Sequence, residues 1–186
     1  MQIIPAFVTQ NKCYQAGTPL TPRGIMLHSI GCPQPNASVM AQNFNQYRPN
    51  GQSVCVHAFV QRDGTVYQTL PWTVQAWHCG GSANSTHIGV EMTEPSAGMT
   101  RSEAAEQIAG TYRTVVELFA ELCKQYELDP AQDGVIIGHA DNMADAQILA
   151  DMVRETGLVG EVLFAKIGPI IGTHTGAGMT ALTFLQ

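Results

Sequence analysis

The sequence predicts an α/β protein with a single mixed β-sheet flanked by helices. Three observations carry this expectation. Short apolar runs at Gly24–Leu27, Ile88–Met92 and Val135–Gly138 are bounded by glycine or polar residues and are too short for helices. Between the second and third runs, Ile108, Tyr112, Val115, Val116, Phe119, Leu122 and Tyr126 recur at helical intervals. Residues 53–68 contain two β-rich runs joined by Arg62-Asp63-Gly64-Thr65, a hairpin signal.

In chain order, Gly24–Leu27 is a buried strand that delivers His28 at its end. Ser38–Tyr47 follows as a short helix, with Ser38 near its start. The hairpin pairs residues 53–61 with Val66–Gln68. After the strand Ile88–Met92, Thr100 and Glu103 have capping-box spacing and open a long amphipathic helix over residues 101–126. Val135–Gly138 is a strand ending at His139, Asn142–Glu155 is a helix closed by Gly157, and Glu161–Ala165 is a further strand.

The chain's 186 residues suit one domain of ordinary size. Its formal net charge is −6, with three lysines and six arginines, and no basic run that would track phosphates. Nucleic acid is therefore not an expected partner. Low charge, 13% of residues, leaves neutral polar surface of the kind that contacts sugars and peptides. The five cysteines, at 13, 32, 55, 79 and 123, are odd in number and far apart, which suits a reducing compartment better than a disulfide framework. No run of 18 apolar residues exists to span a membrane, and MQIIPAFVTQNK lacks the pattern of a signal peptide. The expected location is the cytoplasm, or the surroundings of a cell after lysis.

Six histidines stand at 28, 57, 78, 87, 139 and 174. His28 and His139 each follow a short apolar strand, and strand ends in an α/β sheet share the edge where ligands bind. Two imidazoles held there would make half of a catalytic zinc site, which takes three protein ligands and an open position. Taken singly, a histidine at a strand end is more often a hydrogen-bonded structural residue.

Four segments then acquire a joint meaning. IMLHSIGCPQP, VHAFVQRDGTVYQTLPW, AWHCGGSANSTHIGVEM and the strand ending in His139 occur in order. Together, residues 1–140 resemble the zinc-dependent N-acetylmuramoyl-L-alanine amidases, the family of AmpD-type enzymes, phage amidases and peptidoglycan recognition proteins. The resemblance implies Zn²⁺ as cofactor, with His28 and His139 as metal ligands. It places the catalytic group either on a tyrosine before the second strand's histidine or on a glutamate of a later strand. Val56 precedes His57, so the glutamate branch applies and Glu91 is the implied base, set among Ile88, Val90 and Met92. Trp77 and His78 fall on a segment that lines the family's substrate groove. A packed tryptophan with a surface histidine is the alternative there.

The pattern then breaks. The family places a third ligand, a cysteine, histidine or aspartate, about eight to ten residues after the second histidine, with a lysine two positions before it. Here the corresponding window reads Gln147-Ile148-Leu149, and no lysine occurs between Lys124 and Lys166. Asp141 and Asp145 are near, but they flank Asn142 at a helix start, where acidic side chains serve as caps. Residues 138–186 instead resemble the C-terminal end of DegV-type fatty-acid-binding proteins, most specifically in IGPIIGTHTGAG, which would put His174 near a lipid carboxylate.

The chain thus divides into an amidase-like region, 1–140, and a DegV-like segment, 141–186, packed on the same sheet. The expected function is hydrolysis of the amide between N-acetylmuramic acid and L-alanine in peptidoglycan or its muropeptide fragments. The alternatives are a peptidoglycan-binding module with impaired catalysis and, behind it, a fatty-acid-binding protein.

Overall fold

The computed structural model describes residues 1–46, 53–167 and 180–183. Tyr47, at the end of the expected second helix, and His174, with most of IGPIIGTHTGAG, lie outside those residues.

The strands are β1 (Gln2–Pro5), β2 (Gly24–Ser29), β3 (Ala58–Val60), β4 (Thr65–Gln68), β5 (His87–Met92), β6 (Val135–His139), β7 (Val162–Lys166) and β8 (Thr180–Thr183). They form one mixed sheet in the order β1-β4-β3-β5-β2-β8-β6-β7. The helices are α1 (Lys12–Ala16), α2 (Ala37–Phe44), α3 (Arg101–Tyr126), α4 (Pro130–Asp133) and α5 (Met143–Glu155), with a 3-10 turn at Ser82–Ser85. The expected fold class is therefore the observed one. The hairpin's first arm is shorter than expected: residues 53–57 run outside the strand, and His57 carries its hydrogen bonds into other elements. The strand β8 has no counterpart in the expected elements.

One face of the sheet holds the main core. Ile25, Leu27, Val60, Ile88, Val90, Val135, Ile137 and Leu182 pack there with Tyr112, Val115, Phe119 and Leu122 of α3 and Leu149 and Val153 of α5. The helix α3 starts on the expected box: Thr100 accepts from Glu103 N, and the Glu103 side chain accepts from Thr100 N. On the opposite face, α2 covers Phe59 and Tyr67, with Ala37, Ala41 and Phe44 in contact. A smaller cluster of Val8, Cys13, Cys55, Leu70 and Ala76 backs the loop before β5. Nothing comparable among the described residues covers that face over β8, β6 and β7. There Ile136 and Leu163, cross-strand partners, remain 40% and 47% exposed.

The strand β8 decides how the two halves of the sheet join. It runs antiparallel to both neighbours, pairing Leu27 with Leu182 on one side and Ile137 with Leu182 on the other. Leu182 is fully buried between them. Leu182→Ala should lower unfolding stability by about 2–5 kcal/mol, read as a fall in the denaturation midpoint. A loss below the ordinary scatter of surface substitutions would mean that β8 does not sit in the core of the sheet.

Candidate active site

Strand alternation fixes which side chains can meet. Leu27 and Ile137 face the helical core, so His28, one residue on, faces the other way, whereas His139, two residues after Ile137, faces the core side. A whole strand also separates them, about 10 Å across the sheet at normal strand spacing. The structure therefore does not bring His28 and His139 together. His139 is buried, with Nδ1 accepting from Asn142 N at 3.2 Å, and its register partner is Thr180, whose hydroxyl meets Tyr112 Oη of α3 at 2.6 Å. The next carboxylates are engaged elsewhere, and the helix start is capped by Asn142, whose Oδ1 accepts from Asp145 N. Asp145 accepts from Asn142 Nδ2 at 2.6 Å, and Asp141 lies 3.3 Å from Lys166 Nζ.

On the open face the arrangement is different. His28 and Glu91 are register partners on the parallel strands β2 and β5, so their side chains emerge side by side. His78 reaches in from the loop before β5, its Nδ1 2.9 Å from His28 Nε2. The loop is clamped by Asn84 Oδ1, which accepts from the backbone N–H groups of His78 and Cys79 at 2.9 and 3.0 Å. Gly89 supplies the space: a Cβ there would stand 2.4 Å from His78 Cγ. The cleft beyond, about 440 Å³, is lined by His28, His78 and Cys79 at one end and by Met26, Ile136, Ala181 and Ile167 along its floor. Trp77 is half-buried against the cluster around Cys55 and Leu70, with its carbonyl accepting from Cys55 N, and is not among the cleft-lining residues.

Burial sets the charge state of this face. It holds His28 at about 4 and His78 at about 3, where His28, His57 and His87 add further repulsion, so both imidazoles are neutral at pH 7. Burial also raises Glu91 to about 8, with a smaller push from Glu94. Glu91 Oε2 is closed off from solvent and has no hydrogen-bond partner. A buried carboxyl with an orphaned oxygen is costly unless a proton or a cation compensates it.

A second polar group was not legible in the sequence. At the core-side end of β2, Ser29 donates to Glu94, and both line a small recess with Thr93, Tyr112 and Thr180. These residues come from β2, the loop after β5, α3 and β8, and no local motif links them.

Residues 18–152 match the profile of the N-acetylmuramoyl-L-alanine amidases. The chain belongs to that family of hydrolases. Among solved structures, the amidase fold here is similar to the catalytic domain of XlyA (TM-score 0.54, 24% identity, covering 70% of this chain and 81% of that one). It is also similar to a mutant of PlyL (TM-score 0.55, 22% identity, 69% and 77%). At these identities the likeness concerns the fold. A DegV domain-containing protein of Clostridium perfringens is 40% identical over 76 residues, which are 41% of this chain and 26% of that protein. The chain thus spans about a quarter of that relative's length. No helix among the described residues is long and apolar enough to cross a membrane.

Amidases of this family are generally zinc-dependent, and the donor set here can be tested against that ion. The expected pair, His28 and His139, does not fit, because the two rings lie on opposite faces with β8 between them. Among the described residues, no three His, Cys, Asp or Glu side chains converge closely enough to hold a metal.

His57 offers a clean pH test. It is fully buried, its Nε2 donating to Val74 O at 2.8 Å and its Nδ1 accepting from Gly89 N at 3.0 Å, which requires the neutral ring. Burial depresses it from 6.5 to about 4, so between those values the unfolded chain binds the extra proton. Stability should therefore fall as pH drops from about 6.5 to about 4. His57→Gln should be less stable at pH 7 and lose less over that window in thermal melts. An unchanged slope would show that His57 is not held neutral.

Proposed function

We propose that the amidase acts through the open-face cleft, with Glu91 as general base, His78 as donor to the substrate carbonyl, and the muramoyl-L-alanine amide of peptidoglycan fragments as substrate. The observation that supports this most directly is Glu91 itself, with an orphaned, buried oxygen and in register with His28, which lines the cleft. In this reading water attacks the muramoyl carbonyl carbon while ionised Glu91 takes its proton. A neutral imidazole N–H of His78 stabilises the carbonyl oxygen, the C–N bond breaks, and the proton returns to the departing alanine amine. The cleft floor of Met26, Ile136 and Ala181 offers apolar surface for the lactyl and alanyl methyl groups. Trp77 supports the wall from behind rather than stacking on a sugar. Residues 1–140 supply all the reacting groups, and residues 141–186 supply much of the floor.

A second reading, a module that binds peptidoglycan fragments with little turnover, is favoured by the displacement of His139 to the core side. The two readings separate on one variant. Glu91→Gln keeps size and removes the base, so hydrolysis of a muramoyl-L-alanine substrate should fall by about 100-fold or more while substrate affinity holds. Wild-type turnover should rise with pH up to about 8, as Glu91 loses its proton. Equal turnover in the wild type and the variant, at whatever level, would remove Glu91 from the chemistry.

A further inference from the structure

The small cluster behind the loop before β5 contains two thiols that the hydrolysis does not use. Cys13 in α1 and Cys55 in the segment leading to β3 pack there with Val8, Leu70 and Ala76, at 1% and 0% exposure. Their side chains hydrogen-bond to each other. The backbones that carry them are docked independently of the sulfurs. Asn11 accepts from Cys13 N at 2.9 Å and donates through Nδ2 to Val54 O at 3.1 Å, so one side chain ties both segments. Cys55 N donates to Trp77 O at 3.1 Å and Cys13 Sγ to Gln75 O at 3.2 Å, so both also meet the loop that carries His78. The other cysteines lie elsewhere, Cys32 and Cys79 exposed and Cys123 in the main core.

We propose that Cys13 and Cys55 are a redox pair that closes to a disulfide in oxidising surroundings and fastens α1 to the entry of β3 behind the wall of the cleft. The oxidant is a small-molecule disulfide such as oxidised glutathione, met while the chain folds or opens locally. The Cys13 thiolate attacks one of its sulfurs, leaving a mixed disulfide and releasing one glutathione thiolate. Cys55, as thiolate, attacks the Cys13 sulfur and releases the second. Two protein thiols are oxidised, one glutathione disulfide is reduced, and the two cysteine protons pass to the glutathione thiolates. The surroundings favour that order. The hydrogen bond from Cys55 lowers the Cys13 thiol, with the Trp77 backbone adding to it and burial opposing, and the same bond raises Cys55. Thiols are weak donors, so Gln75 O and Val56 O lose little when the bridge forms.

The test refolds the full chain carrying Cys32→Ser and Cys79→Ser, which removes the exposed thiols, in a buffer of reduced and oxidised glutathione. Mass spectrometry should show the loss of two hydrogens, and proteolytic mapping should find Cys13 joined to Cys55 with Cys123 free. The thermal midpoint should stand roughly 10 °C above that of the same chain after reduction, as expected from closing a loop of about 40 residues. Cys13→Ala or Cys55→Ala, added to that background, should abolish both the link and the shift, whereas Cys123→Ala should keep both. Circular dichroism would confirm that each variant is folded, and the unsubstituted chain, mapped in the same way, should show the same link. A folded chain with Cys13 and Cys55 free or capped by glutathione would overturn the proposal, as would a Cys13–Cys55 link that lowers the midpoint.

Discussion

The placement of β8 between β2 and β6 is the constraint on which the site depends. Leu182 sits between Leu27 and Ile137, all three buried under α3 and α5. With that register set, alternation leaves no freedom. His28 must leave the sheet on the open side, and His139 on the core side with Thr180. The same strand widens the sheet, so Ala181 and Thr183 lie on the floor of the cleft and Ile136 and Leu163 stay exposed. An antiparallel strand of four residues thus separates two histidines that would otherwise end neighbouring strands.

The open face is consistent with that constraint. Its ionisable groups are held neutral by burial at pH 7, imidazoles unprotonated and Glu91 protonated, so the cleft presents little fixed charge to a substrate. Such a site is responsive: a positive charge brought beside Glu91 would favour its ionised form, because it offsets the desolvation that burial imposes. On the core side, the Ser29–Glu94 contact and the Tyr112–Thr180 contact satisfy polar groups at the edge of the apolar core, and His139 has joined that structural region.

Much of this was legible in the sequence, for identifiable reasons. The strands ending at His28 and His139, the Thr100–Glu103 box and the long helix follow from local periodicity and capping, which depend on near neighbours in the chain. The pairing of Glu91 with His28 was legible only as an expectation that both line one cleft. Register makes them neighbours. The strand β8 was hidden because four residues, Thr180–Thr183, following a glycine-rich stretch carry too short a pattern to be told from loop. With β8 missing, His28 and His139 are read as neighbours, and the metal pair is misplaced. His78 and Gly89 were individually visible, but their interlocking is a long-range packing fact that no spacing rule contains. Trp77 shows the reverse, an aromatic on a groove-lining segment that is taken up by packing on the cluster around Leu70, the alternative its sequence had left open.

The most direct test of this account is nuclear Overhauser spectroscopy of the labelled chain, read across the centre of the sheet. An inserted β8 predicts cross-strand contacts from Ala181 and Leu182 to both Leu27 and Ile137, and no backbone contacts between β2 and β6. Direct β2–β6 backbone contacts, bringing His28 and His139 to adjacent strands, would contradict it and return His139 to the metal site.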